Sequence, residues 1–471
     1  MQGDKPSTKS PNIVFIFADQ WRAQATGYNG DPNCETPVLD QLVGESINVT
    51  HAVSGCPVCT PYRASLMTGQ YPLTNGVYIN DVELDKDCLS IAQVFGSAGY
   101  DSCYIGKWHI YGSPDGKYGR RKAYVPREHQ LGFDYWKGFE CTHDYNDSFY
   151  YYGEDSTRRR WDGYDAFAQC KDAAAYIREH RSADRPFIQI ISLGPPHFPL
   201  HTAPEEYRNR YRDRSIELRP NVPEGMREAA QEDLRGYYAH IAALDDCLAL
   251  VLEAIRESGL ENDTILAFTS DHGDMGGSQG LKTQIKLVPW DESIRVPLLI
   301  RWPALHGGEG KEIALPIDAP DLMPTLLGLC GLQIPDTVEG HDFSPYLRGD
   351  VSPDGSEAAL LSVPAEFATM RTTGMSAYRG IRTVRYTYAR NTTGPWLLYD
   401  NESDLYQMNN LVNRSGFADL QAQLDSTLAG RLSEMDDAFR DGSYYLERDG
   451  FDHYGEANEK LTDPWKEPWG R

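Results

Sequence analysis

The sequence predicts an α/β fold. It reads as a mostly parallel sheet flanked by helices, followed by a smaller C-terminal α+β subdomain containing an antiparallel sheet. Three observations predict this. Short continuous apolar runs recur along the chain, as strands buried on both faces require. Helical patterns lie between them, the alternation expected of βαβ units. After about residue 365 the runs give way to alternating residues, the pattern of antiparallel strands with one covered face.

The first run, Asn12-Ile-Val-Phe-Ile-Phe-Ala18, reads as a buried strand that ends at Asp19-Gln20. Thr36 to Glu45 reads as a helix with Thr36 as N-cap and Pro37 in its first position. Further strands are expected over Pro186 to Leu193, Thr264 to Thr269 and Val296 to Arg301, with helices over Tyr164 to Arg181 and Glu232 to Gly259. Gly380 to Arg390 and Trp396 to Tyr399 read as an antiparallel hairpin. A helix from Phe417 to Phe439 and a polar aromatic tail follow. The expected organisation is a polar N-terminal segment (1–11), a catalytic domain (12–365) and a C-terminal subdomain (366–471).

Composition narrows the function. The chain has 471 residues and a formal net charge of −24, so it repels nucleic acid and anionic membranes at long range. No apolar run is long enough for a membrane helix, and no membrane insertion is expected. The N-terminus, Met1 to Pro11, has no apolar signal core. That fits a secreted protein whose signal peptide has been removed, or a cytoplasmic one. Nine cysteines do not make a dense disulfide framework, and most read as buried thiols.

Ligands of open α/β sheets sit beyond the carboxyl ends of the strands. Three predicted strands end in residues capable of chemistry: Asp19-Gln20, Gly194-Pro-Pro-His197 and Ser270-Asp271-His272-Gly273-Asp274. They converge on one site if the strands share a sheet. Cys59-Thr-Pro-Tyr-Arg63 adds a nucleophile. Pro61 suits the first turn of a helix, which puts Cys59 at its electropositive end and Arg63 on the same face. Taken alone, this is either a reactive thiolate or an ordinary buried cysteine.

Cys59-x-Pro61-x-Arg63 followed by Leu66-Met-Thr-Gly69 resembles the signature of the formylglycine-dependent sulfatases. The resemblance extends through Gly106-Lys107-Trp108-His109, Glu292-Ser-Ile-Arg-Val-Pro297, Leu397-Leu-Tyr-Asp400 and Met408-Asn-Asn-Leu411. It implies an alkaline-phosphatase-like fold and a sulfuric ester hydrolase. It further implies that Cys59 is oxidised by a formylglycine-generating maturation enzyme to 3-oxoalanine, whose hydrate supplies the nucleophile. By the same resemblance Asp19, Gln20, Asp271 and His272 match the family's cation ligands, with the residue derived from Cys59 completing the set. Many members have Asp in place of Gln20 and Asn in place of His272. Oxygen-rich ligation favours Ca²⁺, and the nitrogen of His272 keeps Mn²⁺ and Zn²⁺ as alternatives.

The resemblance also assigns catalytic roles. Asp271, with the cation, would favour the deprotonated form of one hydroxyl of the hydrate, and Arg63, Lys107 and Lys286 would offset charge on the sulfuryl oxygens. His197 would protonate the leaving alcohol, and His109 would take the proton whose loss regenerates the aldehyde. A short insertion leaves Lys282 as the alternative to Lys286. His143, in Lys137-Gly-Phe-Glu-Cys-Thr-His143-Asp-Tyr-Asn146, is the candidate substrate contact. Phe149 to Tyr152 and Arg158 to Trp161 read as the lining of a sugar cleft or as plain surface loops. The expected substrate is a sulfated saccharide, and the expected compartment is periplasmic or extracellular. A phosphonate or phosphate monoester hydrolase on the same scaffold is the nearest rival. A non-catalytic glycan-binding relative and a thiol enzyme using unmodified Cys59 are the others.

Overall fold

The computed structural model describes residues 10–114 and 119–454. Most of the predicted N-terminal segment, and the tail beyond Tyr454, lie outside the described residues. Among the described residues no helix is long and apolar enough to cross a membrane.

Among the described residues ten strands form one sheet. In chain order they are β1 (Asn12–Asp19), β2 (Ile47–Val49), β3 (Asp101–Lys107), β4 (Tyr135–Phe139), β5 (Phe149–Tyr152), β6 (Asp155–Arg160), β7 (Phe187–Pro196), β8 (Thr264–Ser270), β9 (Leu298–Arg301) and β10 (Lys311–Ile313). Their spatial order is β10-β2-β9-β8-β1-β7-β3-β4-β5-β6. The central run β8-β1-β7-β3-β4 is parallel throughout. Antiparallel β9, β5 and β6 extend its two sides. Every residue of β1, β7 and β8 is buried, which is why these segments read as unbroken apolar runs.

Helices cover both faces. The longest, α4 (Arg227–Glu257), packs against α3 (Asp165–His180) and β7. The predicted helix after Thr36 is present as α1 (Pro37–Val43), but Thr36 does not cap it with its side chain. The Thr36 hydroxyl accepts from Gly27 N and donates to Asp40 instead. The free N–H groups of Val38 and Leu39 go to Asp245 Oδ2 and Oδ1 at 2.8 and 2.9 Å, so a carboxylate from α4 does the capping. Helix α2 (Cys59–Thr68) starts at the predicted cysteine and ends at Gly69, whose left-handed backbone (φ 67°) closes it.

After α5 (Ala319–Leu329) comes a second sheet. It is antiparallel, in the order β11 (Ala358–Val363), β12 (Tyr378–Thr383), β13 (Tyr386–Asn391) and β14 (Gly394–Asp400). Its first strand precedes residue 365, where the sequence pattern changes. Successive residues face opposite ways, as the pleat demands. Leu360, Ile381, Tyr388 and Leu398 meet Leu424, Leu428 and Leu432 of α6 (Ala418–Glu434). Leu361, Tyr378, Ala389 and Leu397 join the main core, so the two sheets share it. The described part of the tail carries a further helix, Gly442–Asp449, with Tyr445 buried.

Two aromatic-rich segments read as cleft or surface loop are strands. Phe149 and Tyr151 of β5 are buried, with Phe149 against Phe139. They therefore do not line a cleft. Strand β6 is a sheet edge. Its arginines are exposed, and Arg159 and Arg160 pair with Asp155 and Asp147. Charged side chains there discourage edge-to-edge pairing.

Candidate active site

The register of the parallel strands brings the predicted residues together. Ala18 lies opposite Ser270, Asp19 opposite Pro196 and Gly106 opposite Ser192. The segments ending in Asp19-Gln20, Asp271-His272, His197 and Lys107 therefore end side by side. A shift of register between Phe17 and Asp19 re-aims the end of β1. Gly106 is required on geometric grounds: its φ is +110°, and a Cβ would lie 2.1 Å from the Ser192 carbonyl oxygen.

Cys59, at the first position of α2, projects into this convergence. Its Sγ lies 3.4 Å from His272 Nε2, 3.5 Å from Asp19 Oδ1 and 3.6 Å from Lys286 Nζ. Asp19, Cys59, Asp271 and His272 each offer an atom to a group spanning no more than 4.8 Å. Burial, reinforced by Asp19, pushes the Cys59 thiol up to about 12, and Lys107 and Lys286 oppose this only in part. In the chain alone this is a poor thiolate, which argues against catalysis by unmodified cysteine.

The donor set fits a cation. His272 Nδ1 lies 2.9 Å from the Gly273 carbonyl oxygen, which can only accept, so Nδ1 carries the proton. Nε2 is then a bare lone pair, 3.5 Å from Asp19 Oδ1 and from Asp271 Oδ1. Burial and Lys286 hold the imidazole well below its usual range, so protonation does not relieve this crowding. Burial and the neighbouring Asp19 push Asp271 up to about 7, against the pull of Arg63 and Lys107. Arg63, Lys107 and the Gln20 N–H occupy part of this acceptor set, and the lone pairs that remain between His272 Nε2 and the two carboxylates suit a cation.

Three basic side chains surround the carboxylates. Lys107 Nζ is 2.6 Å from Asp19 Oδ2. Arg63 Nη2 reaches Asp19 Oδ2 at 3.1 Å and Asp271 Oδ2 at 3.2 Å, and its Nη1 donates to Lys107 O and Ser192 Oγ. The Arg63 fork is thus engaged in bracing the two aspartates. Although burial opposes ionisation of Asp19, Lys107, His197 and Arg63 hold it well below the usual carboxylate range. Lys286 Nζ donates to Gln20 Oε1 at 3.0 Å. Lys282 is exposed and lies outside this group. Three buried cations against two carboxylates leave the site positive within a chain of net charge −24.

The histidines form an outer layer. His197 donates from Nδ1 to Phe198 O at 3.0 Å, and its ring stacks on His143 at 4.5 Å. His143 is partly exposed beside it. Burial and Lys286 hold His197 well below its ordinary range. His109 has a left-handed backbone (φ 55°), and its Nε2 faces Asp81 Oδ1 at 3.5 Å. Burial and Lys107 bring His109 down to about 3. Arg121 grips Asp81 through both oxygens, at 2.8 and 2.7 Å.

Sequence reading missed Ser192, Asp81, Arg121 and Asp274. Asp274 was visible within Ser270 to Asp274, but nothing in its spacing marked it. Ser192 sits inside an apolar strand, and Asp81 and Arg121 lie in irregular segments far apart in the chain.

Comparison with known proteins follows the same lines. A family model described as Sulfatase matches residues 11–332. A second, described as N-sulphoglucosamine sulphohydrolase, C-terminal, matches residues 285–434. The chain is 44% identical over 447 residues to an ulvan-active sulfatase of Formosa agariphila, covering 95% of this chain and 85% of that protein. It is 32% identical to an endo-4-O-sulfatase of Bacteroides thetaiotaomicron, covering 91% of this chain and 92% of that protein. A putative sulfatase structure from Bacteroides fragilis superposes with a TM-score of 0.82 at 29% identity, covering 94% of this chain and all of the other. With its strand-end site and both matched segments in register with that family, the chain belongs to the sulfatases, which are sulfuric ester hydrolases.

Proposed function

We propose that this sulfatase removes sulfate from a sulfated glycan, using formylglycine formed from Cys59 and a calcium ion held by Asp19, Gln20, Asp271 and His272. One observation carries this reading: Cys59 stands where a crowded acceptor cluster meets three buried cations. Acceptors suit a cation, and surplus positive charge suits an anionic ester. Mn²⁺ and Zn²⁺ are the alternatives that the imidazole allows. Relatives named for ulvan and for endo-4-O-sulfatase activity support a glycan substrate, and with it a periplasmic or extracellular setting.

The formylglycine hydrate would supply an attacking oxygen and a second hydroxyl; Asp271, beside the bound cation, would draw the proton from the first. The chain's own groups would do the rest. Lys107 and Lys286 would offset charge on the sulfuryl oxygens. Arg63 would keep Asp19 and Asp271 in place. A bound sulfate monoester adds negative charge beside His197 and so favours its doubly protonated form. Nδ1–H would stay with Phe198 O, leaving Nε2–H for the departing alcohol oxygen. The ionised Asp81 would keep the His109 proton on Nε2, so that Nδ1 can accept one. His143 would contact the sugar beside the ester.

The test is coexpression with a formylglycine-generating enzyme, followed by mass spectrometry of the Cys59 peptide. The expected mass change is that of –CH₂SH becoming –CHO. Sulfate release is then measured on a panel of defined sulfated saccharides, with calcium or with chelator, beside an aryl phosphonate. Saccharide desulfation that chelator abolishes is expected. Full activity with an unmodified thiol, or turnover of the phosphonate alone, would overturn the reading.

A further inference from the structure

Gln20 is a primary amide beside the carboxylates of Asp19 and Asp271, and that creates an orientation problem. A carboxylate presents an equivalent oxygen whichever way it turns. A primary amide has one oxygen and one nitrogen, and only the oxygen can face a cation. Something must select the orientation.

Two neighbours select it. Asp274 is fully buried, and its Oδ2 accepts a hydrogen bond from Gln20 Nε2. On the other side Lys286 Nζ, which can only donate, approaches Gln20 Oε1 at 3.0 Å. Asp274 is itself held in place. Oδ1 accepts from Gly276 N at 2.7 Å, and Oδ2 also accepts from Gln284 N at 2.8 Å. One loop thus carries both selectors, Asp274 at its start and Lys286 at its end, and the bond from Gln284 to Asp274 closes it. The Gln20 backbone is left-handed (φ 70°), with its N–H on Asp271 Oδ1 at 3.0 Å and its carbonyl accepting from Tyr237 Oη at 2.8 Å. Main chain and side chain are both fixed, and no free rotation remains to present the oxygen by chance.

We infer that Asp274 is a positioning residue that holds the Gln20 amide with its oxygen toward the cation site, compensating for the absence of a second carboxylate there. The inference rests on the cation reading proposed above. It also makes Gln20 and Asp274 a functional pair: an amide at the first position needs an acceptor at the second.

The pairing has a signature that a merely structural loop staple lacks. Calcium binding to the chelator-stripped full-length protein is measured by isothermal titration calorimetry in four forms: unchanged, Asp274→Ala, Gln20→Glu, and the double variant. With Gln20 present, Asp274→Ala should weaken calcium about 10- to 100-fold. In the Gln20→Glu background the same truncation should not weaken it, and should tighten it by relieving repulsion between two carboxylates. A shape-preserving swap, Gln20→Glu with Asp274→Asn, should bind calcium at least as tightly as the unchanged protein, and covers the case in which the alanine variant does not fold. Equal weakening in both backgrounds, or none with Gln20, would overturn the inference and leave the cation reading standing. If the unchanged protein binds neither calcium nor manganese nor zinc in the same titration, the cation reading itself fails, and this inference with it.

Discussion

Two groups of buried charge in this molecule follow opposite rules. Where the small sheet meets the main one, Asp291 and Glu292 find their complements within the chain. Arg382 Nε and Nη2 meet Asp291 Oδ1 and Oδ2 at 3.0 Å each, and Glu292 accepts from Arg219 and Asn221 at 2.9 and 2.8 Å. Although burial opposes ionisation of Asp291, Arg382 lowers its pKa. At the strand ends the opposite holds. Burial and Asp19 push Asp271 up to about 7, and the lone pair of His272 lies 3.5 Å from an oxygen of each aspartate. The first group is satisfied by folding. The second is paired only in part by Arg63 and Lys107 and keeps acceptor lone pairs crowded together, the electrostatic mark of a candidate binding site.

The comparison can be broken or sharpened by substitution. Cys59→Ala should have the largest effect. Turnover should fall on the order of 1,000-fold or more, while circular dichroism and the melting temperature stay close to those of the unchanged protein. Lys286→Ala comes next, with a loss of about 100- to 1,000-fold in sulfate release and little loss of stability, because no carboxylate relies on it for a partner. Arg382→Met should invert that pattern. It leaves the buried Asp291 with only the longer ion pair to Arg295 at 3.8 Å and should cost about 2–4 kcal/mol in urea unfolding, with turnover per folded molecule much less affected. If Arg382→Met were neutral for stability, the contrast between the two groups would collapse.

A smaller effect concerns pH. Burial brings His240 of α4 down to about 3. Its Nδ1 lies 2.6 Å from Tyr164 Oη, and its Nε2 faces Pro199 O. A folded pKa below the unfolded value near 6.5 means the unfolded chain binds the extra proton first. The neutral ring's contribution is therefore complete above pH 6.5 and is lost as pH falls toward 3. His240→Gln should flatten this acid limb by up to about 1.4 kcal/mol per pH unit, measured as unfolding free energy against pH. An unchanged slope would place the acid sensitivity elsewhere. The smallest effect is expected for Lys282→Ala. The side chain is exposed and outside the site, so initial rates of sulfate release should match the unchanged enzyme within error.

Legibility in the sequence followed burial. The wholly apolar strands β1, β7 and β8 were readable because water contacts neither of their faces. Strand β3 was missed because Asp101-Ser102 opens it with polar residues, and Ser102 is satisfied by Asp134 from the loop before β4. Strands β5 and β6 do not read as strands in the sequence because aromatic and arginine-rich segments carry no fixed period when one face packs and the edge is open. Thr36 stands at the N-cap with Pro37 next to it, as its sequence reads, but a distant carboxylate, Asp245, takes the N–H groups that its hydroxyl would otherwise serve. At the site, residues in contiguous motifs were legible. Asp81, Arg121 and Ser192 were not, because each acts through a partner far away in the chain.

The sequence by itself determined the reaction type, the α/β class and the identities of the groups at the strand ends, since these depend on local patterns and on motif spacing. The tertiary structure buried Lys286 beside Cys59 and left Lys282 exposed, engaged Arg63 with the two aspartates, stacked His143 on His197 and set Asp274 behind Gln20. The physical reason is common to all four. Hydrogen bonds and charge pairing act over a few ångströms in space, and residues 20 and 274, or 63 and 271, become neighbours only when the parallel strands align.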